Sequence, residues 1–324
     1  MAHDLILVTG AGGFIGHALV AHLTAGGRAF RAVYHHRIPH GQPPHLDNVV
    51  ADLGSIEDAA ADALLADVTA VVHLAGRAHV LAETAPDPEA AFRIANVVAT
   101  EKLARAAVRA GVSQFVLASS VKVNGEATLP GHPFTSSDTP APFDAYARSK
   151  LGAESALLTA CAGTAVAPVI LRLPLVYGPG VGGNFAVLLD AIARGRSLPV
   201  ASVRNRRSLV AVGNLIDAVD AVLAAKAAPT GVHFVADADS VSVPDLARAV
   251  AAAIGVPLEM RRVPVPLLRL GAALLGRGAR VRRLVDSLEV DTTSLREATG
   301  WRPRQSLEEG LAGTAAWWRL RHAI

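Results

Sequence analysis

The chain has 324 residues, enough to bury a sizeable core as one two-lobed unit or as two modest domains. Hydrophobic residues make up 51% and charged residues 18%, which excludes an intrinsically disordered chain. A net charge of +3, from 31 basic and 28 acidic residues, is too even to imply nucleic-acid or membrane binding, yet leaves room for a local basic pocket around a phosphorylated ligand.

The first third of the chain alternates short apolar runs with helical stretches. LILVT (5–9), FRAVY (30–34), VVADL (49–53), AVVHLA (70–75) and FVLASS (115–120) each read as a buried strand, and a helical pattern over 91–110 places Phe92, Val98 and Leu103 among the positions that share a face. VAPVILRL (166–173) supplies a sixth strand, and VHFVAD (232–237) a last one. Between these two come YGPGVGGN, a helix near 185–194 and the basic segment SVRNRRSLV; from Val241 onward the pattern is helical, with proline joints. Strand–helix alternation of this kind predicts an α/β fold: a Rossmann-like, doubly wound parallel sheet, with a smaller, interleaved, mostly helical lobe. The expected division is 1–176 with 213–236 for the nucleotide lobe, and 177–212 with 237–324 for the second lobe. The cleft between lobes is the expected place for a second ligand.

The first strand runs straight into Gly10, Gly13, Phe14, Ile15 and Gly16, followed by a helical segment. Glycines at this spacing allow a tight turn and close approach of backbone to a pyrophosphate, with a helix amino terminus aimed at the phosphates. The segment after the second strand reads Tyr34-His35-His36-Arg37, without the carboxylate that suits a free ribose 2′-hydroxyl. That absence, with Arg37 nearby, favours NADP over NAD. Asp52-Leu53 stands where a carboxylate accepts from the adenine amino group, and Leu74, Ala75 and Gly76 close the fourth strand where backbone must approach the dinucleotide.

Ser119-Ser120 ends the fifth strand, and Tyr146 and Lys150 follow four residues apart in YARSK, so both point from one helix face. A neighbouring ammonium is expected to lower the phenol from its usual value of about 10, so that it exchanges protons near neutral pH. Cys161, the single cysteine, excludes an internal disulfide and a cysteine metal cluster; it reads as a small core residue in a reducing cytoplasm. MAHDLILVTG lacks a signal-peptide pattern, and the apolar run over 267–275 falls short of the roughly 20 residues that span a bilayer. The expectation is a cytoplasmic protein that uses no metal.

TGAGGFIG, DL, HLAG, Asn96 in NVVAT, SSVKVNG, YARSK, LRLPLVYGPG and the tail VDTTSLREATGWRPRQSLEEGL together resemble the extended short-chain dehydrogenase/reductases, the NAD-dependent epimerase/dehydratase family. SSVKVNGE, AGRAHV and NRRSLV are similar to a narrower bacterial group, the UDP-N-acetylquinovosamine dehydrogenase-like 4-keto-sugar reductases and UDP-sugar 4-epimerases of surface-polysaccharide synthesis. The resemblance implies that Ser120 is the catalytic serine, Tyr146 the acid/base and Lys150 its partner on the nicotinamide ribose. It puts Asn96 and Pro174 at the cofactor and Asn184, Arg207 and Arg283 on the diphosphate of a UDP-linked sugar. Lys122, just past a strand end at the cleft, is a further expected pocket residue, whereas His79, in a similar place, reads as structural. A homodimer through the helices over 91–110 and 146–160 is implied as well. Asn124 stands where the family usually has Tyr, and Ala147 where it usually has Gly.

The dehydratases of this family carry an Asp-Glu pair after the serine; Val121 and Lys122 stand there instead, which argues against dehydration. Reduction of a 4-keto sugar is the expected reaction, with 4-epimerisation on tightly bound NAD as the alternative. A non-catalytic nucleotide-binding sensor or assembly subunit is the reading from another class, and the presence of both Tyr146 and Lys150 speaks against it.

Overall fold

The computed structural model describes residues 4–38, 47–78, 85–274, 276 and 278–322. Its strands are β1 (Leu5–Thr9), β2 (Phe30–Tyr34), β3 (Asp47–Val50), β4 (Val68–His73), β5 (Gln114–Ser120), β6 (Ala167–Leu173), β7 (Leu175–Tyr177), β8 (Leu209–Ala211) and β9 (Gly231–Phe234). Seven of them form one parallel sheet in the order β3-β2-β1-β4-β5-β6-β9. The strand order reverses between β1 and β4, and the crevice beyond their carboxyl ends is where such sheets bind ligands.

Alternation along the strands sends side chains to both faces. Ile6 and Val8 of β1 pack with Leu19 and Leu23 of helix Phe14–Ala25 and with Leu215 and Val219 of helix Val212–Ala224. Leu7 goes the other way, into a core shared with Leu64, Leu103 and Leu157 from helices Asp58–Leu64, Ala99–Ala110 and Ala145–Cys161. Cys161 is buried in that second core, as a small apolar residue should be.

Pro174 lies between β6 and β7, where the chain leaves the main sheet. Beyond it, β7 pairs with β8 in a separate two-stranded sheet. A third core gathers Tyr177, Phe185, Leu189, Leu246, Leu311 and Trp318, drawn from β7 and from helices Gly183–Ala193, Val243–Ile254 and Leu307–His322. Asn214, fully buried, ties the pieces together: its carbonyl accepts from the amides of Arg304 (2.9 Å) and Gln305 (2.8 Å), and its amide donates to Asp237 (2.7 Å). Asp237 in turn accepts from the hydroxyl of Tyr177 at 2.9 Å.

Two details depart from the sequence reading. The third strand starts at Asp47 and ends at Val50, so Asp52 and Leu53 lie in the turn that follows it. The expected helix over 91–110 is three pieces: an α-turn Pro88–Phe92, a π-helical turn Arg93–Val98, and the α-helix Ala99–Ala110. Local periodicity is unchanged by such a turn, so the sequence carries no mark of it; π-turns collect at functional sites. Here the turn holds Asn96, and Gly152 on the neighbouring helix leaves room for it, since a Cβ there would sit 2.9 Å from Val97.

The helix Ala145–Cys161 is locked to the sheet by a buried ion pair. Arg172 of β6 donates to Glu154 at 2.6 and 3.0 Å and to Asn124 Oδ1 at 2.9 Å, while the hydroxyl of Ser119 donates to the same carboxylate. Both charged side chains are under 5% exposed. Removing one partner from such a pair strands the other, at a cost of about 3–5 kcal/mol. Glu154→Ala should therefore destabilise the fold by that amount in urea unfolding. The double change Glu154→Leu, Arg172→Met should recover most of the loss.

Candidate active site

The glycine loop is shaped by contacts a side chain would break. Gly10 adopts φ +68°, and a Cβ on it would fall 2.6 Å from the backbone nitrogen of Ala75; a Cβ on Gly16 would fall 2.1 Å from the carbonyl oxygen of Gly10. The loop is therefore pressed against the end of β4 and against its own helix. Gly13 caps helix Phe14–Ala25 without any side-chain hydrogen bond, so the first amides of that helix, at Phe14 and Ile15, stay free for phosphate oxygens. The ring of Phe14 reaches the glycines at 178 and 180, joining this loop to the third core. Tyr34 is buried against Gly12, whereas Arg37 is exposed beyond β2. Asp52 accepts from the amide of Gly54 (3.0 Å) and the hydroxyl of Ser55 (2.9 Å), and lies 3.6 Å from His35. These bonds, with His35 beside it, hold its carboxyl below the usual range against the opposing effect of desolvation.

Leu74, Ala75 and Gly76 follow β4, and Asn96 fastens them. Its amide oxygen accepts from Arg77 N–H (2.7 Å), while its nitrogen donates to Arg77 O (3.1 Å) and to the Ser149 hydroxyl (2.8 Å), which itself donates to Tyr146 O (2.8 Å). The asparagine expected at the cofactor thus spends its side chain on protein: it clamps the loop after β4 to the tyrosine helix. Behind it, Thr100 donates to Asn96 O (2.6 Å), and His73 bridges Thr100 (3.1 Å) and Thr9 (2.7 Å). Burial, reinforced by Lys150, pushes His73 down to about 3 and keeps it neutral.

Ser120 ends β5, and Tyr146 and Lys150 sit on helix Ala145–Cys161, whose amino end is capped by Asp144 accepting from Ala147 N–H at 2.7 Å. Burial pushes the Tyr146 phenol up to about 12, with a hydrogen bond to Ser120 opposing and the Asp144 charge adding to the rise. The expected lowering by Lys150 is not what this structure gives. Desolvation is the largest influence on the phenol, and desolvation likewise brings Lys150 down to about 8 despite the favourable charge of Glu154. Lys150 is 7% exposed, and among the described residues no protein acceptor takes a hydrogen bond from its Nζ. A buried cation with unused donors, beside a glycine cradle with free helix amides, fits a dinucleotide whose ribose hydroxyls accept from it.

Lys122 is half-buried, paired with Asp144 at 3.1 Å and 5.3 Å above the Tyr146 ring. Val121 beside it is a core residue, so neither position offers a carboxyl group for dehydration. Asn184 is exposed at the amino end of helix Gly183–Ala193. Arg207 and Arg283 are brought together: Arg207 Nη1 donates to Asp286 O (3.0 Å), and burial together with the charge of Arg283 pushes its guanidinium down. Arg283 Nε is buried without a hydrogen-bond partner. Two guanidinium groups in one partly desolvated pocket suit a diphosphate. His79 lies outside the described residues. Sequence reading passed over Ser149, Thr100 and Thr9 as site residues; the polar His73 inside the apolar run VVHLAG was the signal for this network.

The NAD dependent epimerase/dehydratase family model matches residues 6–236. UDP-glucose 4-epimerase of Vibrio cholerae is 36% identical over 96% of this chain and 94% of its own length. The dTDP-6-deoxy-L-talose 4-dehydrogenase (NAD(P)(+)) of Kitasatospora kifunensis is 30% identical over 94% and 93%. Among solved structures, MoeE5 in complex with UDP-glucuronic acid and NAD matches with a TM-score of 0.78 and 27% identity over 98% of this chain and 99% of that one. The fold and site therefore define a dinucleotide-dependent enzyme of the extended short-chain dehydrogenase/reductase class. Within that class, the chain belongs to the NAD-dependent epimerase/dehydratase family.

Two measurements check the site. Gly16→Ala should abolish dinucleotide binding in calorimetry and cost about 1–3 kcal/mol of stability, because the new methyl group meets backbone atoms. The sequence holds only four lysines, so carbon-13 dimethylation should resolve Lys150 as the one titrating near pH 8 in the cofactor-free protein. The sign of the linkage follows. Between about 8 and the unfolded value of about 10.5 the unfolded chain keeps a proton that the folded chain releases, so this group makes stability rise with pH across that window.

Proposed function

We propose that the protein interconverts UDP-linked sugars epimeric at C4, by oxidation to a 4-keto sugar and reduction back, in the synthesis of surface-polysaccharide precursors. The observation that carries this reading is the joint presence of the Ser120–Tyr146–Lys150 set beyond β5 and a paired-guanidinium pocket at Arg207 and Arg283. The full-length similarity to UDP-glucose 4-epimerase supports it.

In the reducing half, the phenol of Tyr146, protonated at neutral pH, gives its proton to the keto oxygen at C4; in the oxidising half, it takes the proton of the C4 hydroxyl. A base with so high a pKa needs positive charge nearby to hold the phenolate, and Lys150, mostly protonated below pH 8, is the side chain in place to supply it. The Ser120 hydroxyl, beside the phenol, orients the reacting oxygen. A dinucleotide held by the glycine loop and Lys150 would supply the hydride acceptor and donor for the two halves. Arg207 and Arg283 hold the diphosphate while the keto sugar turns over between half-reactions. The homodimer that the family resemblance implies would form through the helical segments over 91–110 and 146–160.

A second reading, 4-keto-sugar reduction with NADP, is favoured by one observation: the end of β2 carries no carboxylate, and Arg37 is exposed there. The two readings separate cleanly. UDP-glucose and UDP-galactose should interconvert without added cofactor if the first holds. Stoichiometric NADPH oxidation with a UDP-4-keto sugar, and no such interconversion, would replace it with the second.

Tyr146→Phe should lower kcat by about 10²–10⁴-fold while leaving dinucleotide affinity intact. Full activity in that variant would reject both enzymatic readings. Arg207→Ala should weaken UDP-sugar binding by roughly tenfold or more, since hydrogen bonds to charged groups contribute about 1.5–3 kcal/mol. NAD affinity, measured in parallel, should not move.

A further inference from the structure

Helix Val265–Leu274 carries two apolar stripes. Val265 and Leu268 pack inward on Val200, Val203 and Val243. Leu267, Leu270 and Leu274, three and four residues apart, share the other side and are 58%, 59% and 80% exposed. Leu284, on the adjoining helix Gly278–Val285, is 42% exposed. Single exposed leucines are ordinary; a stripe of three on one short helix is not.

The charge around the stripe is predominantly basic. Residues 261–285 contain seven arginines and no acidic residue. Arg261, Arg269 and Arg282 reach Glu259 (3.2 Å), Asp286 (2.6 Å) and Glu126 (3.6 Å), yet each arginine side chain remains more than half exposed. A second copy of the chain is a poor occupant, because a two-fold contact would bring this basic rim against itself. An anionic surface matches both the leucines and the arginines.

We propose that the helices Val265–Leu274 and Gly278–Val285 dock the enzyme on an anionic lipid bilayer, with the leucines in the headgroup boundary and the exposed Arg261, Arg262, Arg269 and Arg282 against lipid phosphates. No helix among the described residues is long and apolar enough to cross a membrane, so the contact is interfacial. Leu284 neighbours Arg283 in the chain, so the docked face adjoins the arginine pair of the site.

Flotation of the full chain with vesicles of phosphatidylcholine, alone or with about a third phosphatidylglycerol, tests the idea. Binding to the anionic vesicles should exceed that to neutral ones by roughly tenfold and fall in high salt. The triple variant Leu267→Ser, Leu270→Ser, Leu274→Ser should lose that binding by about tenfold or more while turning over a soluble nucleotide sugar at the parental rate. The single change Leu274→Ser, at the most exposed of the three, should weaken binding with an unchanged Tm and covers failure of the triple variant to fold. Wild-type protein that stays unbound with both vesicle types overturns the proposal. So does undiminished binding by both variants, or a wild-type dimer that becomes monomeric in either variant.

Discussion

An ammonium group and a phenol on one helix, both shifted mainly by loss of water, set the terms for the whole molecule. Removing water from both pushes each toward its uncharged form, the phenol upward to about 12 and the ammonium downward to about 8. Chemistry at neutral pH needs the charged forms to be reachable, and Glu154 is the group that favours charge on Lys150. That carboxylate is itself affordable in the core only because Arg172 and Ser119 bond to it. The ion pair under the tyrosine helix therefore fixes that helix on the sheet, while its carboxylate favours the charged form of the lysine.

A second chain of bonds fixes where the phenol lies relative to the nucleotide cradle. From Thr9 at the end of β1, through His73, Thr100 and Asn96, it runs to Ser149 and the backbone of Tyr146. Its members are small or uncharged, and the one titratable group is held neutral by burial. The loop after β4 and the tyrosine helix are thus joined by hydrogen bonds, without any intervening salt bridge.

Features written in local spacing were legible in the sequence. The strands, the glycine turn and the Tyr146–Lys150 pair all depend on residues within one turn or one strand of each other. Features that depend on desolvation or on distant encounters were not. Counting charges suggested that Lys150 lowers the phenol, because sequence shows which charges are near but not how much water is lost. Asn96 looked like a ligand contact because its partners, Arg77 and Ser149, come from separate elements. Arg207 and Arg283 were expected on one diphosphate from resemblance alone, since 75 residues of sequence separate them and only the fold brings one to bear on the other. The overall charge of +3 likewise averaged away a basic pair of helices, since acids elsewhere in the chain cancel it in the total.

The π-turn at Arg93–Val98 makes the helix that carries Asn96 a register-sensitive part. Each residue of an α-helix advances it by about 100°, so losing one residue from the wide turn would relax it to ordinary α-geometry and swing the asparagine away from Arg77 and Ser149. On its solvent side the turn presents the half-exposed Ile94, whose replacement leaves this register unchanged. A change of length does not. Lineages of such enzymes should therefore hold the residue count from Pro88 to Ala110 fixed.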